Sequence, residues 1–328
     1  MSKEPHTVRI ACHAMATRFE FILHGSDPRS LRAAGEEAME EIRRLERELG
    51  FRQSGSEIRF LNDRAAETAV RVSPMLFQLL ERAVKLSRDA SGAFDITIAP
   101  LMRCWGLANG TGHFPSAQDI DDAKAKVGMD QIVLDRDACT VGFRNPGVML
   151  DLGSIGKGYA LDIAAEWLRE AGVTSALIHG GTSTSFAIGA PPDDAAWKIA
   201  IIRPEDGTGS AQDPSVENPA RILSHVTLAD GESLSVSAVW GKSFRHEGRT
   251  YGHVIDPRSG WPVQGALLAA VVLPSAADSD ALSTALLTLG EAGHQALQTS
   301  HPGLRSLVAL PSGESYSVHS NGIELVPE

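Results

Sequence analysis

The chain has 328 residues, of which 43% are hydrophobic and 22% are charged, a composition typical of a folded globular protein rather than a disordered or fibrous one. Its formal net charge of −11 argues against binding to nucleic acid or to anionic lipid, because both require a concentrated basic patch. The sequence has neither an apolar run long enough for a membrane helix nor a signal-peptide pattern, so we expect a cytoplasmic protein without membrane insertion.

The first half of the chain predicts strands, two helices and a hairpin. Apolar residues at helical spacing predict a helix that begins after Asp27-Pro28 and ends at Gly50. A second helix is predicted to begin at Ser73-Pro74, because serine is a good helix cap and proline is favoured at the first helical position. Strands are predicted at 8–10, 19–23, 131–134, 139–143 and 148–150, the third and fourth forming the hairpin.

The second half of the chain predicts one long helix, more strands and a loop. The helix stops at Gly172, and we expect its buried face to carry Tyr159, Ile163, Ala164, Trp167, Leu168 and Ala171. The segment 205–219 is rich in Gly, Ser, Asp and Pro and predicts a mobile surface loop. Further strands are predicted at 175–178, 185–188, 197–202, 222–228 and 267–272.

The order of these elements predicts the fold class. Strands and helices follow one another without regular alternation, and no strand precedes a dinucleotide-binding glycine pattern. We therefore expect an α+β fold with mixed or antiparallel sheets and packed helices. The chain is expected to form a single domain over 1–328, with two intertwined subdomains as the alternative.

A glycine-rich segment from Asp151 to Asp162 predicts an anion site. Its glycines at 153, 156 and 158 are expected to let the backbone turn tightly at the start of a helix, where free N–H groups and the positive end of the helix dipole favour a phosphate. Lys157 adds a positive charge. The spacing is not that of a Walker loop. An ordinary strand-to-helix turn with a surface lysine is the alternative.

A second segment, 277–286, predicts a helix start that carries candidate metal ligands. Asp280 and Thr284 are four residues apart, so their oxygens share one helix face and could hold a hard cation such as Mg²⁺. The alternative is that Asp280 stabilises the helix start and that the Thr284 hydroxyl bonds to its own helix.

A third segment combines a histidine with a turn. The sequence from Asp256 to Gly260 is a turn signature, and His253 enters it through a short apolar strand. This placement would put an imidazole at the edge of a cleft. A structural histidine with satisfied hydrogen bonds is the alternative.

A fourth segment, 91–101, places apolar and aromatic residues beside one carboxylate. Such a group could form a wall against a flat ring system and hydrogen-bond to its edge. A core strand that leads to a buried Trp105 explains the same residues.

The order and intervals of these segments resemble those of the FAD:protein FMN transferases of the ApbE family. The resemblance covers nearly the whole chain. It rests on Met15-Ala16-Thr17, on Ser56-Glu57-Ile58 with Leu61-Asn62, on Gly92-Ala93-Phe94-Asp95, and on the three segments around Lys157, His253 and Asp280.

The resemblance implies an α+β fold that holds FAD in a cleft, and Mg²⁺-dependent transfer of FMN from FAD to a Thr or Ser hydroxyl of an acceptor protein, with release of AMP. It implies that His253, the candidate catalytic residue, or a nearby carboxylate assists removal of the hydroxyl proton. The implied metal ligands are the backbone carbonyl of Ser154 and the side chains of Asp280, Ser283 and Thr284. The implied FAD-binding residues are Met15, Ala93, Phe94, Asp95, Asp151, Lys157 and His253.

The sequence departs from the family pattern at two positions near the implied cleft. Thr182 follows Gly180-Gly181 where the family usually has Asp, and Ala238 follows Ser237 where it commonly has Gly. These departures leave open an FAD-binding paralogue that stores FAD, or hydrolyses it to FMN and AMP, without modifying a protein. An interaction scaffold without a ligand is the third alternative.

Overall fold

The computed structural model describes residues 5–204, 222–241, 243–313 and 315–325, with the side chain of Asn109 left aside. The loop predicted at 205–219 lies outside the described residues. None of the helices within these ranges is long and apolar enough to cross a membrane.

The described residues form eight α-helices and fifteen strands. The helices are α1 (Pro28–Leu49), α2 (Glu57–Arg64), α3 (Pro74–Asp89), α4 (Ala99–Cys104), α5 (Ala117–Lys124), α6 (Gly156–Glu170), α7 (Ala276–Leu289) and α8 (Ala292–Ser300). The strands are β1 (His6–Ala14), β2 (Thr17–Gly25), β3 (Val70–Arg71), β4 (Ile132–Asp135), β5 (Thr140–Phe143), β6 (Ser175–Gly180), β7 (Thr184–Ile188), β8 (Trp197–Ile202), β9 (Ile222–Leu228), β10 (Ser233–Ala238), β11 (Ser243–His246), β12 (Arg249–Gly252), β13 (Leu268–Leu273), β14 (Arg305–Ser312) and β15 (Ser315–Asn321).

One large antiparallel sheet organises the fold. Its strand order is β1-β2-β6-β7-β10-β13-β14-β15, and every neighbouring pair in it runs antiparallel. Three small sheets accompany it, β3-β5-β4, β8-β9 and β11-β12. The predicted α+β class with antiparallel sheets and packed helices is therefore confirmed.

Both faces of the large sheet are covered. Helices α1, α6 and α7 pack side by side against one face, and α7 contacts β7, β10 and β13 in the middle of the sheet. The ribbon β8-β9 contributes Trp197, Ile201 and Val226 to an apolar cluster with Leu234 and Leu268 of the sheet. Since β13 has apolar groups on both sides, all six of its residues are buried.

The predicted helix starts at Pro28 and Pro74 are confirmed. The Asp27 side chain accepts a hydrogen bond from the Arg29 amide, and the Ser73 hydroxyl accepts one from the Leu76 amide. Each cap satisfies a backbone donor that has no partner inside the helix, and the following proline has no such donor to satisfy.

Two local predictions are wrong. The residues at 148–150 do not form a strand, because the side-chain amide of Asn62 bonds both the N–H and the C=O of Leu150 in place of a neighbouring strand. Trp167 and Ala171 were expected on the buried face of α6, but Trp167 is 42% exposed, and Ala171 is exposed and follows the last residue of the helix. The residues of α6 that face α1 and α7 are small or aliphatic, and Trp167 lies outside this stripe.

Candidate active site

The turn that precedes α6 is fixed by residues from two earlier segments. The Asn62 amide holds Leu150, and the Asp151 N–H donates to the Ile96 carbonyl at 2.7 Å. The Gly153 N–H donates to the Asp151 carboxylate at 2.8 Å. The segment that contains Asp95 is thereby joined directly to the predicted phosphate turn, although the two are more than fifty residues apart in sequence.

Helices α6 and α7 meet closely at Gly158. A side-chain carbon at this position would overlap the backbone carbonyl of Ala276, so only glycine permits the contact. None of the three glycines at 153, 156 and 158 adopts a positive φ, which corrects the expectation that they supply backbone freedom for a tight turn. At Gly158, the absence of a side chain is what matters.

A carboxylate on α6 fixes the start of α7. Asp162 accepts hydrogen bonds from the Ser275 hydroxyl and from the amides of Ala276 and Ala277 at 2.7 to 3.0 Å. Burial raises the pKa of Asp162, and these three hydrogen bonds oppose the rise. The bonds satisfy the first backbone amides of α7 and so fix the position along α6 at which the two helices cross.

Asp280 projects from α7 onto the start of α6. Its carboxylate is only 2% exposed. One oxygen accepts from the Gly158 amide at 3.0 Å, and the other lies 3.4 Å from the hydroxyls of Thr184 and Ser235. The Lys157 ammonium is 3.4 Å from both oxygens. A buried carboxylate requires such partners, because its charge is costly to remove from water without them.

Three further hydroxyls extend this group. The Ser237 Oγ lies 2.8 Å from the Ser283 Oγ and 3.2 Å from the Thr284 Oγ1. Ser283 and Thr284 also donate to the Asp280 backbone carbonyl at 3.0 and 3.3 Å. The predicted pair Asp280 and Thr284 therefore lies on one face as expected, and Thr284 also bonds to its own helix, as the alternative held.

The strand hydroxyls Thr184, Ser235 and Ser237 were not predicted as site residues. Ser235 and Ser237 alternate with apolar residues along β10, so they point to the face of the sheet that α7 covers. The period-two serine pattern from Ser233 to Ser237 was the available signal. It indicates a strand with one hydroxyl-bearing face.

The donor atoms present suit a hard cation. Among the described residues, no group of three or more His, Cys, Asp and Glu side chains is arranged to hold a metal. A cation at Asp280 would therefore take its other ligands from hydroxyl, carbonyl, phosphate and water oxygens. Mg²⁺ accepts such a set, since it keeps several waters and is bound through one or two carboxylates together with substrate phosphates. The residues at Asp280 thus fit Mg²⁺.

The residues Ala93, Phe94 and Asp95 lie in a buried turn that leads into α4. Phe94 is 1% exposed and belongs to the main core, so the side chain itself has no free face. Trp105 is also fully buried, at the end of α4, and its indole N–H donates to the Gly260 carbonyl. The strand expected as the alternative for this segment is absent from residues 91–98.

Asp95 is held in the turn by its own neighbours. Its carboxylate accepts from the amide and the hydroxyl of Thr97 at 2.7 and 2.6 Å, and the Thr97 hydroxyl accepts from the Gly128 amide at 2.7 Å. Burial raises the pKa of Asp95 from 3.8 to about 6, because the charged form loses hydration, and the Thr97 hydrogen bonds only partly oppose this.

We expect Asp95 to make stability depend on pH. Its pKa is higher in the folded chain than in the unfolded one, so the stabilising contribution of the protonated carboxyl is complete below about pH 4 and is lost as the pH rises through about 6. A shift of about two pKa units corresponds to about 3 kcal/mol. Urea denaturation should show the unfolding free energy of the wild type falling by about this amount relative to Asp95→Asn between about pH 4 and pH 7. Equal pH dependence of the two chains would contradict the raised pKa.

Met15 lies in the β1-β2 turn. It has a positive φ of 50°, and its N–H donates to the Glu46 carboxylate at 2.7 Å. The Gly181 N–H donates to the Arg18 carbonyl, which places this hairpin beside the turn that contains the exposed Thr182. Val236 of β10 in turn bonds to the Ser183 carbonyl. Met15 thus lies at the same end of the sheet as the β6-β7 turn, and within the described residues it makes no hydrogen bond with Asp280.

His253 is half-buried and directly follows β12. The preceding Gly252 packs so closely on the carbonyl of Val239 that a side chain there would overlap it. Since Val239 follows β10, His253 lies near the end of the strand that carries Ser237. The predicted turn at 256–260 is present, closed by a hydrogen bond from the Gly260 amide to the Asp256 carbonyl at 2.8 Å.

Two cavities flank the segment between Gly92 and α5. The larger, of about 630 Å³, lies between α4 and α5, and its lining includes Arg103, His113 and Met149. The smaller, of about 430 Å³, is lined by residues that include Gly92 and Asp130. Neither is lined by Lys157, Asp280 or His253, so the polar group at α7 lies outside both cavities.

The fold is shared with proteins that are named as flavin transferases. A protein of Klebsiella pneumoniae (strain 342) named FAD:protein FMN transferase is 30% identical over 259 residues, 78% of this chain and 76% of that protein. One of the same name from Haemophilus influenzae is 28% identical over 299 residues, 88% of this chain and 82% of that protein. The apo crystal structure of Pseudomonas stutzeri flavinyl transferase ApbE matches with a TM-score of 0.82 at 27% identity, covering 98% of this chain and 96% of that one.

The sequence profile of the ApbE family matches residues 15–308. The chain therefore belongs to the ApbE family.

Proposed function

We propose that the chain transfers FMN from FAD to a Thr or Ser hydroxyl of an acceptor protein and releases AMP, in a reaction that depends on Mg²⁺. The observation that carries the proposal is the convergence of Lys157, the first turn of α6 and the buried Asp280 at one point. A pyrophosphate needs this combination, with an ammonium for its charge and a hard-oxygen site for the cation that accompanies it.

The proposed metal ligands are Asp280, Ser283, Thr284 and the Ser154 carbonyl. Bound Mg²⁺ would neutralise charge on the pyrophosphate and on the AMP leaving group. Asp280 would supply the negative charge that retains the ion, and Ser237 would orient the two hydroxyls, to which its own Oγ is already close. Lys157 would hold the phosphoryl group for in-line attack.

The proposed reaction forms one bond and breaks one. The acceptor oxygen bonds to the phosphorus of the FMN half, the bond from that phosphorus to the oxygen of AMP breaks, and the hydroxyl proton must leave. We assign removal of that proton to His253, whose imidazole follows β12 near the end of β10.

The proposed FAD-binding residues are Met15, Ala93, Phe94, Asp95 and Asp151, together with Lys157 and His253. Since Ala93 and Phe94 have buried side chains, their contribution would come from backbone N–H and C=O groups. The 430 Å³ cavity is lined by Gly92, directly before this segment, and the 630 Å³ cavity by Pro100 of α4; both fall in the size range of ligand pockets.

The proposal is tested by incubating the protein with FAD, Mg²⁺ and a candidate acceptor and weighing the acceptor by mass spectrometry. We expect the acceptor to gain the mass of FMN less one water, with AMP released in equal amount, and both signals to disappear when EDTA replaces Mg²⁺. An unmodified acceptor with FAD intact would contradict the proposal.

A second candidate function is supported by the two departures from the family pattern. Thr182 lies exposed in the β6-β7 turn, and Ala238 ends β10 directly beyond Ser237. Both lie beside the polar group, where an acceptor would approach. A paralogue that stores FAD, or hydrolyses it, would bind FAD or yield FMN and AMP in the same assay while the mass of every acceptor stayed unchanged.

A further inference from the structure

Lys157 occupies the side of Asp280 that the protein leaves open. The Gly158 amide bonds one carboxylate oxygen, and the hydroxyls of Thr184 and Ser235 approach the other. The Lys157 ammonium spans both oxygens at 3.4 Å and also donates to the Gly153 carbonyl at 3.1 Å. That carbonyl adjoins Ser154, the residue whose own carbonyl is a proposed metal ligand.

These partners of Asp280 differ in how easily they can leave. The Gly158 amide belongs to a helix backbone, and Thr184 and Ser235 are buried strand residues that bond to each other at 3.0 Å. Lys157 reaches the carboxylate through a flexible side chain that is 22% exposed. It is therefore the partner that can move away without disturbing a helix or the sheet.

An ammonium and a divalent cation cannot share this position. Both would take the same face of one carboxylate, and their mutual repulsion at a separation of a few ångströms would be large in a partly buried site. The carboxylate nevertheless needs a positive partner at all times, because it is almost fully buried.

We propose that Lys157 serves as a stand-in cation that keeps Asp280 in place until a divalent metal ion arrives, and that the ion displaces it. The released ammonium is then free to turn to the phosphate. Binding of the metal ion and release of the Lys157 ammonium from Asp280 are thus the same event. The metal-free protein has weak affinity for the ion because Lys157 must first leave the carboxylate. This inference rests on the proposed role of Asp280 as a metal ligand.

The test is a titration of the FAD-free protein with Mn²⁺, followed by electron paramagnetic resonance of the free ion. Lys157→Met removes the charge while keeping the length of the side chain, and we expect it to bind Mn²⁺ at least about tenfold more tightly than the wild type. Lys157→Arg keeps the charge and should bind as weakly as the wild type. Lys198→Met, at an exposed lysine paired with Asp194, is the matched control and should leave the affinity unchanged.

Thermal unfolding supplies a second measurement. Without metal, Lys157→Met should melt below the wild type, because Asp280 has lost its cation, and saturating Mn²⁺ should raise its melting temperature by more than that of the wild type. A variant that folds only when Mn²⁺ is present supports the exchange, and one that stays unfolded at saturating Mn²⁺ overturns it.

Equal or weaker Mn²⁺ binding by Lys157→Met would also overturn the inference. Failure of the metal assignment itself gives a different result, in which Asp280→Asn binds Mn²⁺ as the wild type does. Loss of binding in Asp280→Asn without tightening in Lys157→Met would leave the metal site standing and remove only the exchange.

Discussion

Asp280→Asn is expected to lower Mg²⁺-dependent FMN transfer by about a thousandfold, a loss of about 4 kcal/mol of transition-state stabilisation. Asparagine keeps the size of the side chain and its hydrogen bonds from Thr184 and Ser235, but it removes the charge that would retain the cation. It also leaves Lys157 without its counter-ion. Initial rates of acceptor modification, measured by mass spectrometry over a range of Mg²⁺ concentrations, check this.

Asp278→Asn is the matched control for this substitution. Asp278 lies on the same helix two residues earlier, but its carboxylate pairs with Arg82 at 2.6 Å, on the side toward α3. We expect this variant to lose some stability and to keep its dependence on Mg²⁺. An Asp280→Asn protein that is folded and retains the wild-type rate would exclude Asp280 as a metal ligand.

Gly158→Ala is expected to destabilise the protein by at least about 3 kcal/mol, because the added carbon overlaps the Ala276 carbonyl and neither helix backbone can yield locally. Relief requires α6 and α7 to separate. This would lengthen the bond from the Gly158 amide to Asp280 and shift the Lys157 ammonium away from the carboxylate. Urea denaturation measures the loss of stability, and Mn²⁺ binding measures the effect on the site.

Gly156→Ala, two residues earlier in the same helix, separates this effect from helix propensity. An added carbon at Gly156 meets nothing closer than Leu152 at 3.8 Å, an ordinary contact. Since alanine is the better helix former, this variant should lie within about 1 kcal/mol of the wild type, on the stable side. If the two variants were equally stable, the close crossing of α6 and α7 would be excluded as the reason for glycine at 158.

The elements that the sequence predicts well are those whose ends are determined by adjacent residues. Asp27-Pro28 and Ser73-Pro74 mark helix starts, since a cap and a proline act within one turn of the chain. Strands with alternating or continuous apolar residues, such as Trp197–Ile202, were also predicted with the right bounds. In these segments, the conformation that adjacent residues favour is also the one that the fold requires.

Strand β10 was missed because its partners are distant in sequence. Ser233, Ser235 and Ser237 resemble a solvated loop when only their neighbours are considered. In the fold, their hydroxyls bond to α7 or to the adjacent strand, with Ser233 2.8 Å from Ser279 and 2.7 Å from the Leu273 carbonyl. A serine hydroxyl can be buried without loss of stability only where such hydrogen-bond partners exist, and the six residues of the strand do not identify those partners.

The site was predicted as a set of residues but not as a set of contacts. Lys157 and Asp280 were each recognised from their own segment, and a phosphate and a metal ion were expected to join them. Their direct ion pair follows from burial of the carboxylate, a property that no local pattern contains. Likewise, the sequence identifies Asn62 only as part of a motif, whereas the fold shows that its side-chain amide bonds the N–H and the C=O of Leu150.

The contacts that build the site span long stretches of chain. Asn62 and Leu150 are 88 positions apart, Thr184 and Asp280 are 96 apart, and Lys157 and Asp280 are 123 apart. Each contact closes a long loop, and the entropy of that closure is lost before the contact stabilises anything, so we expect the polar group to form late on the folding pathway. A nascent chain released before α7 has Lys157 but no partner carboxylate. The same separations that make the site hard to infer from any short segment also keep unfinished copies of the protein from assembling it.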